Sequence, residues 1–468
     1  MARVAGIELS GTQVAVIGLA RSGLAAIELL VRQEARPLAV DEKPLEELPN
    51  VAGQLQSYGV PFVRQSPGCW RGSDLVVISP GVAYDAEAVV KAREAGVPVI
   101  GELELASYFL RGRTIAISGS NGKTTTTALV HHVLTSCGID AQAGGNIGTA
   151  ACSLIPTSTP ARWNVLEVSS FQLETVSNFS ADIAICLNLT PDHLDRHHTM
   201  EAYEAVKARL FRMQQRQDFA ILNADDPACV RYASMTRAAP VWFSLTRPVT
   251  PGLWLSEGRI VFEDRTVIAA DEVTLRGRHN LENVMAATAA AHIAGAALDE
   301  IAAAIKSFRG VEHRLERVAT IGGVEWFNDS KATNVDATLK AVDAFPGRLW
   351  IILGGKDKGG DYRPLGPALS GKTNAALLIG AAAPKIEEHL LAAFQGRIPF
   401  PVVACGSLDA AVARAAAGAR PGDTVLLAPA CASFDQFQDY MHRGRVYKQL
   451  VAALVPGQED HSLATSGG

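Results

Sequence analysis

Short apolar runs rich in β-branched residues alternate with longer stretches of helical periodicity along the whole chain. The runs predict strands, for example at residues 14–17, 75–78, 114–117, 183–187, 349–353 and 424–427. Strands that alternate with helices form βαβ units, in which the strands pair in parallel and the helices cover the faces of the sheet. The pattern therefore predicts an α/β fold.

The length of the chain predicts more than one domain. It has 468 residues, whereas a single hydrophobic core rarely grows beyond roughly 250–300 residues. Polar connectors occur near residues 111–113 and 308–313. We expect three domains, at residues 1–103, 104–311 and 312–468, and we expect the polar segment 456–468 to be disordered.

Composition and charge exclude several classes of protein. With 48% hydrophobic and 19% charged residues the chain is of the ordinary globular type, and it lacks an apolar run long enough to span a membrane. The net charge of -5, without a dense basic block, offers no surface for nucleic acid or anionic membrane. The seven scattered cysteines predict reduced thiols. Because the N-terminus lacks a secretory signal, we expect a cytoplasmic protein.

The strongest local motif is GSNGKTTT, which begins at Gly119 between a predicted strand and a predicted helix. Glycines in this position let backbone N–H groups approach phosphate oxygens, Lys123 would neutralise them, and Thr124 or Thr125 could bind Mg²⁺. Ile117 stands where the usual P-loop has its first glycine. An ordinary glycine-rich turn is the alternative.

A second glycine turn, GLARSG, begins at Gly18 and is followed by Asp41 at the end of the next predicted strand. It is similar to the dinucleotide-binding pattern G-x-G-x-x-G, with Ala20 in the middle position. Three interpretations stay open: a nicotinamide cofactor, the nucleotide diphosphate part of a substrate, and a structural turn.

Several ionisable residues follow predicted strands of the central third. The run LNLTPDHLDRHH contains His193 and His197 at zinc-ligand spacing, but the general base of H-E-x-x-H is absent, and a solvated polar loop is the default. Glu167 ends a predicted strand, where a carboxylate is costly unless it is paired or binds a metal. Lys207 borders an apolar helical stripe, a position where a surface lysine is the usual expectation.

Three further polar segments follow predicted strands of the last third: NDSKATN, LGGKDKGGDY and PACASFDQF. The loops at the carboxyl ends of parallel strands are where α/β sheets bind ligands. Each segment alone would be read as a loop.

Taken together, the order and spacing of these segments resemble the Mur ligase family, the ATP-dependent amide-forming enzymes of peptidoglycan precursor synthesis. The G-x-x-G-K-T form of the first loop is the form found in that family. The resemblance implies a Rossmann-like N-terminal domain, a central P-loop ATPase-like parallel sheet with helices, and a Rossmann-like C-terminal domain. NDSKATN and PACASFDQF resemble the member that adds D-glutamate to UDP-N-acetylmuramoyl-L-alanine through an acyl phosphate.

The resemblance also implies roles for the residues that match. Those implied to be catalytic are Lys123, Glu167, His193 and Lys207. Those implied to bind ATP are Gly119, Ser120, Asn121, Gly122, Lys123, Thr124, Thr125, Asn283, Arg314 and Asp329. Those implied to bind the UDP-substrate are Ala20, Arg21, Ser22, Asp41, Gly81, Asn146 and His193. Those implied to bind D-glutamate are Lys331, Thr333, Lys358, Ser433 and Tyr440. The implied Mg²⁺ ligands are Thr124, Glu167, His193 and, through a carbamate formed with CO₂, Lys207.

Three alternative functions are weighed against this one. A folate-type glutamate ligase shares the nucleotide core but not NDSKATN or the UDP-type N-terminal domain. A nicotinamide-dependent oxidoreductase rests on GLARSG alone, and a non-catalytic nucleotide-binding regulator would show no amide-coupled ATP turnover. The expected partners are small molecules only, and the expected state is a monomer.

Overall fold

The computed structural model describes residues 3–454, apart from the side chain of Asp195. The chain forms two compact units. Within the described residues, the first contains residues 3–274 and 281–308, and the second contains residues 275–280 and 309–454. Segment 456–468, which the sequence predicts to be disordered, lies outside the described residues.

The first sheet of the first unit is built from the N-terminal residues. Strands β1 (Arg3–Val4) and β2 (Ile7–Glu8) form a two-stranded antiparallel ribbon that precedes the sheet. The strands of the sheet are β3 (Gln13–Ile17), β4 (Arg36–Asp41), β5 (Phe62–Arg64), β6 (Leu75–Ile78) and β7 (Val99–Gly101). Its helices are α1 (Arg21–Arg32), α2 (Pro49–Tyr58), α3 (Glu87–Glu94) and α4 (Glu102–Ser107). The five-stranded sheet has the order β5-β4-β3-β6-β7 and is parallel throughout. Val14 and Val16 of β3 belong to one core, whereas Ala15 and Ile17 belong to another, so this strand is buried on both faces.

The second sheet of the first unit carries the glycine-rich loop. Its strands are β8 (Thr114–Ser118), β9 (Ala141–Gly145), β10 (Trp163–Glu167), β11 (Ile183–Cys186), β12 (Phe219–Asn223), β13 (Ala239–Ser244), β14 (Gly252–Ser256), β15 (Arg259–Phe262) and β16 (Arg265–Ala269). Its helices are α5 (Lys123–Ser136), α6 (Ser170–Leu173), α7 (Leu194–His197), α8 (Met200–Lys207), α9 (Arg209–Arg212), α10 (Pro227–Tyr232), α11 (Arg278–Ile293) and α12 (Leu298–Ser307). Of these, α11 belongs to the first unit only from Leu281 onward. The sheet order is β16-β15-β14-β13-β12-β11-β8-β10-β9. Strands β8 to β14 pair in parallel, and β14, β15 and β16 form an antiparallel edge.

The second unit contains one six-stranded sheet. Its strands are β17 (Glu316–Ile321), β18 (Val324–Asn328), β19 (Leu349–Gly354), β20 (Thr373–Ile379), β21 (Val402–Gly406) and β22 (Thr424–Leu427). Its helices are α13 (Val335–Asp343), α14 (Leu365–Leu369), α15 (Ala383–Ala393), α16 (Leu408–Gly418) and α17 (Tyr440–Ala452). The order is β17-β18-β22-β19-β20-β21, and only the pair β17–β18 is antiparallel among these described strands. Ile351 and Leu353 belong to one core and Ile352 to another, so apolar residues cover both faces.

The predicted α/β class is confirmed, and all six strands predicted from apolar runs are found. All seven cysteines are free in the structure. Within residues 3–454, the structure has no helix that is long and apolar enough to cross a membrane. The three domain boundaries stay predictions.

Glu102, the first residue of α4, is a fully buried carboxyl that the sequence did not single out. Its Oε1 accepts a 2.6 Å hydrogen bond from the backbone N–H of Cys152, in the 3₁₀ segment Ala151–Thr157. Its Oε2 has no hydrogen-bond partner in the described part of the chain. Burial raises the pKa of Glu102 to about 7.

This raised pKa predicts a pH-dependent loss of stability. The folded chain holds the Glu102 proton more tightly than the unfolded chain, so the stabilisation is complete below the ordinary pKa and is lost as pH rises toward 7. Glu102→Gln keeps an acceptor for Cys152 but carries no charge. At pH 8 the variant should therefore be more stable than the parent by about 3 kcal/mol. Urea unfolding at pH 4.5 and pH 8 measures this difference.

The exposed helix residue Glu94 supplies the matched control, Glu94→Gln. This control should leave the free energy of unfolding unchanged at both pH values. A Glu102→Gln variant whose advantage is the same at pH 4.5 and pH 8 would contradict the assignment.

Candidate active site

The glycine-rich loop joins β8 to α5 and requires its two glycines. Gly119 and Gly122 have φ values of +146° and +87°, in the region that side chains rarely adopt. A Cβ on Gly122 would also collide with Oδ1 of Asn283, a buried residue of α11. This Oδ1 accepts a 3.2 Å hydrogen bond from Thr126. The loop therefore closes tightly against α11.

The loop that follows β11 supports the glycine-rich loop from the other side. The N–H of Ser120 donates to the carbonyl of Asn188 at 2.9 Å, and the N–H of Asn121 donates to Asn188 Oδ1 at 2.9 Å. Ser120 Oγ donates to the carbonyl of Thr190 at 2.8 Å. Sequence reasoning assigned no role to Asn188 or Thr190. The sequence feature that could have indicated them is their position directly after a buried strand, in the run that also contains His193.

Polar groups concentrate at the start of α5. Lys123 Nζ donates to the carbonyls of Gly119 and Ser120, both at 2.8 Å, so its charge lies over the loop. Thr124 Oγ1 donates to Glu167 Oε2 at 2.8 Å. Thr125 Oγ1 is buried without a hydrogen-bond partner in the described structure. A helix N-terminus with a lysine and an unpartnered hydroxyl fits a phosphate group.

Glu167 ends β10 as a carboxylate that is 2% exposed. Besides Thr124, it accepts a 2.8 Å hydrogen bond at Oε1 from Asn146 Nδ2. Both of these donors are neutral. A buried carboxylate next to a threonine hydroxyl is the oxygen donor set that Mg²⁺ prefers, so these residues fit that ion.

Lys207 ends α8 and is 1% exposed, so the expectation of a surface lysine is wrong. Its Nζ donates to the carbonyl of Gly119 at 2.9 Å and to Ser118 Oγ at 3.4 Å. Burial, together with the positive charge of Lys123, lowers the pKa of Lys207 to about 7. The helical pattern placed this residue at the border of the apolar stripe and could not show that the end of β8 covers it.

His193 lies in the left-handed region, with φ +53°, directly before α7. Its ring contacts the ring of Phe171 in α6, with centroids 4.7 Å apart. Its side chain is 46% exposed, and Nε2 lies 3.5 Å from Asp192 Oδ2. The imidazole is therefore accessible from solvent on the segment that follows β11.

A cavity of about 280 Å³ lies in the first unit at the carboxyl ends of β3 and β6. Six of the seven residues predicted to bind the UDP-substrate line this cavity: Ala20, Arg21, Ser22, Asp41, Gly81 and Asn146. His193 is not among its lining residues. The N-terminus of α1 opens here, without a side-chain cap or an acidic residue in its first turn. Such a helix end offers N–H groups to an anion.

The turn GLARSG is held by backbone geometry and by Asp41. Gly18 has φ +87°, and a Cβ on Gly23 would collide with the Gly18 carbonyl, so both positions need glycine. Asp41 Oδ2 accepts a 2.8 Å hydrogen bond from the backbone N–H of Leu19, and Oδ1 accepts one of 3.0 Å from the backbone N–H of Lys43. The aspartate thus fixes the turn that forms one wall of the cavity.

In the second unit, Asp329 and Arg314 are two predicted ATP-binding residues with unmet hydrogen-bonding capacity. Asp329 follows β18 and is 4% exposed, and burial raises its pKa to about 6 against the opposing charge of Arg314. Asp329 Oδ1 and Arg314 Nε are buried without hydrogen-bond partners among the described residues.

The residues predicted to bind D-glutamate are in the loops of the same unit. Lys331 Nζ donates to the hydroxyl of Tyr440 at 3.0 Å, and the N–H of Thr333 donates to the Lys331 carbonyl at 2.8 Å. Ser433 is buried after β22, and Lys358 is exposed after β19.

Arg443 of α17 holds two of these loops together, a role that sequence reasoning missed. It is fully buried and donates to the carbonyls of Ser330, at 2.9 Å, and Cys431, at 3.2 Å. It also donates to Ser330 Oγ at 3.0 Å.

Three family models match the chain: the Mur ligase MurD-like N-terminal domain over residues 12–101, the Mur ligase middle domain over residues 117–291, and the Mur ligase glutamate ligase domain over residues 313–431. A UDP-N-acetylmuramoylalanine--D-glutamate ligase of Solibacter usitatus is 54% identical over 450 residues, covering 96% of this chain and 100% of that protein. The protein of the same name from Acidobacterium capsulatum is 48% identical and covers 96% of this chain and 97% of that protein.

Solved structures are similar in fold. The UDP-N-acetylmuramate-alanine ligase MurC of Thermotoga maritima has a TM-score of 0.60 at 18% identity, covering 94% of this chain and 99% of that chain. A pseudomurein peptide ligase type C of Methanothermus fervidus has a TM-score of 0.58 at 16% identity, covering 95% of this chain and 100% of that chain.

Proposed function

The chain belongs to the Mur ligase family, and from this premise we propose that it joins D-glutamate to UDP-N-acetylmuramoyl-L-alanine at the expense of ATP, in peptidoglycan precursor synthesis. One observation carries the proposal. Asn146 lines the cavity at α1 and donates to Glu167, which in turn accepts from Thr124 at the glycine-rich loop. A single side chain thus links the cavity to the phosphate-binding residues, as phosphoryl transfer to a substrate in that cavity requires.

The first unit would bind the nucleotide phosphates and the UDP-substrate. N–H groups from Gly119 to Thr125 and the charge of Lys123 would hold the β- and γ-phosphates of ATP. The N-terminus of α1 would hold the diphosphate of the UDP-substrate. Asn283 would contact the adenine of ATP. The roles proposed for Arg314 and Asp329 are contacts with its phosphate and ribose.

Thr124, Glu167, His193 and Lys207 would hold Mg²⁺. When bound, the metal supplies positive charge that offsets the charge developing on the transferred phosphoryl group. An ammonium at Lys207 would oppose cation binding, so we propose that its neutral amine adds CO₂. A nitrogen–carbon bond forms, one proton is released, and the product is an anionic carbamate with two oxygen donors. The lowered pKa of Lys207 supports this step, because it raises the neutral fraction near pH 7.

The reaction would proceed in two displacements. A carboxylate oxygen of the UDP-substrate attacks the γ-phosphorus of ATP, and ADP leaves. Lys123 stabilises the negative charge of the phosphoryl group during the transfer. The unprotonated amine of D-glutamate then attacks the acyl phosphate, and phosphate leaves with the former carboxylate oxygen. Lys331, Thr333, Lys358, Ser433 and Tyr440 would bind D-glutamate, with their cationic and hydroxyl groups directed to its carboxylates.

The test is phosphate release from ATP with Mg²⁺ and UDP-N-acetylmuramoyl-L-alanine, comparing D-glutamate with L-glutamate, L-alanine, L-lysine and meso-diaminopimelate. We expect release only when both the UDP-substrate and D-glutamate are present. Release with a different amino acid would keep the family and change the specificity, and no release with any would contradict the proposal. We also propose that the enzyme acts as a monomer in the cytoplasm, which light scattering and cell fractionation test.

A further inference from the structure

Arg196 is a nearly buried arginine of α7, three residues beyond His193, and its side chain is 13% exposed. Its Nε donates to both carboxylate oxygens of Glu174, the residue directly after α6, at 3.1 and 3.2 Å. Its guanidinium also lies 4.5 Å from the ring centroid of Phe171, the ring that His193 contacts. One face of the guanidinium thus contacts Phe171 and one edge contacts Glu174, both in the segment that follows Glu167.

Nη2 also donates to Glu174 Oε2, and both terminal nitrogens of Arg196 reach a distant segment of the chain. Nη2 donates to the carbonyl of Val82 at 2.8 Å, and Nη1 donates to the carbonyl of Pro80 at 3.3 Å. These carbonyls belong to the loop after β6, and Ser79, Pro80, Gly81 and Val82 all line the 280 Å³ cavity. Arg196 therefore holds the wall of the cavity to the segment that carries His193.

The geometry points to Arg196 as a positioning residue, a proposal that rests on the proposed function: it fixes the cavity wall so that the bound UDP-substrate presents its carboxylate to the phosphate-binding loop. A planar guanidinium with five donors can hold a carboxylate, two carbonyls and an aromatic face at the same time. A lysine ammonium has three donors and no planar face. The charge-preserving variant Arg196→Lys therefore isolates the geometry from the charge.

The experiment measures equilibrium binding separately for UDP-N-acetylmuramoyl-L-alanine and for a non-hydrolysable ATP analogue with Mg²⁺. In Arg196→Lys the Kd for the UDP-substrate should rise about 10-fold, because the carbonyls of Pro80 and Val82 are no longer held in place. The Kd for the ATP analogue should change less than about 2-fold. Amide hydrogen exchange should accelerate in the peptide that contains residues 79–82.

Arg162→Lys is the matched control, because Arg162 also donates through Nε to both oxygens of a carboxylate, that of Asp140, and through Nη1 to the carbonyl of Thr157. It should leave both Kd values and the exchange of residues 79–82 unchanged. An unchanged Kd for the UDP-substrate in Arg196→Lys would overturn the proposal, as would an equal weakening of both ligands together with a lower Tm. Binding that depends on Arg196 in a protein without ligase turnover would overturn the proposed function and leave the role of Arg196 in place.

Discussion

Replacing Lys207 by alanine should lower the rate of D-glutamate-dependent phosphate release by roughly 100- to 1,000-fold, the cost typical of removing one preorganised charge-stabilising group. In the proposed mechanism, the variant has no amine to accept CO₂ and so lacks the two oxygen donors of the carbamate beside the glycine-rich loop. Acetate or formate at high concentration should restore part of the rate, because a small carboxylate can enter the vacated space. Steady-state phosphate release with and without the acid measures both effects.

Two variants control this prediction. Lys207→Arg keeps a positive charge but cannot form the carbamate, so it should be as inactive as the alanine variant and should not respond to the acid. Lys91→Ala removes an exposed lysine that pairs with Glu87 on α3 and should leave the rate unchanged. Full activity of Lys207→Ala would remove Lys207 from the mechanism, and rescue of Lys207→Arg by acetate would contradict the carbamate.

Replacing Lys123 by methionine should have the largest effect, a loss of about 1,000-fold or more, as is typical when the cation that stabilises a transferring phosphoryl group is removed. Methionine keeps an unbranched side chain, shorter by one atom, but removes the charge. Because the charge of Lys123 also helps to lower the pKa of Lys207, its removal should raise that pKa and reduce the neutral fraction of the amine. Half-maximal activation of Lys123→Met should therefore require a higher CO₂ concentration than that of the parent enzyme.

The matched variant is Lys123→Arg, which keeps the charge and should retain more activity than Lys123→Met. Binding of the UDP-substrate alone should be unchanged in both variants, because Lys123 is not among the residues that line the cavity. A Lys123→Met enzyme within 10-fold of the parent rate would show that this charge does not act on the phosphoryl group.

The parallel sheets were predictable because their central strands are buried on both faces. Such strands appear in the sequence as short uninterrupted apolar runs, as at Leu75–Ile78 and Thr424–Leu427, whose observed bounds equal the predicted ones. The antiparallel edge from Gly252 to Ala269 was not predicted, since its strands are only partly buried and carry polar residues.

The candidate site was predictable where function demands a rare local pattern. Gly119 and Gly122 occupy backbone conformations that require glycine, so the loop is visible in the sequence. Arg196 and Lys207 carry no such mark, because their importance arises from contacts with residues 114 and 88 positions away. The local sequence therefore does not distinguish these two buried cationic residues from exposed ones.

The most direct test of the central claim follows the oxygen atoms of the UDP-substrate. UDP-N-acetylmuramoyl-L-alanine labelled with ¹⁸O in its free carboxylate is converted in the presence of ATP, Mg²⁺ and D-glutamate, and the phosphate and the product are analysed by mass spectrometry. We expect one ¹⁸O in each phosphate released and one retained in the new amide, in a product longer by one glutamate. Unlabelled phosphate would show that water attacks ATP without an acyl phosphate, and this result would contradict the proposed mechanism.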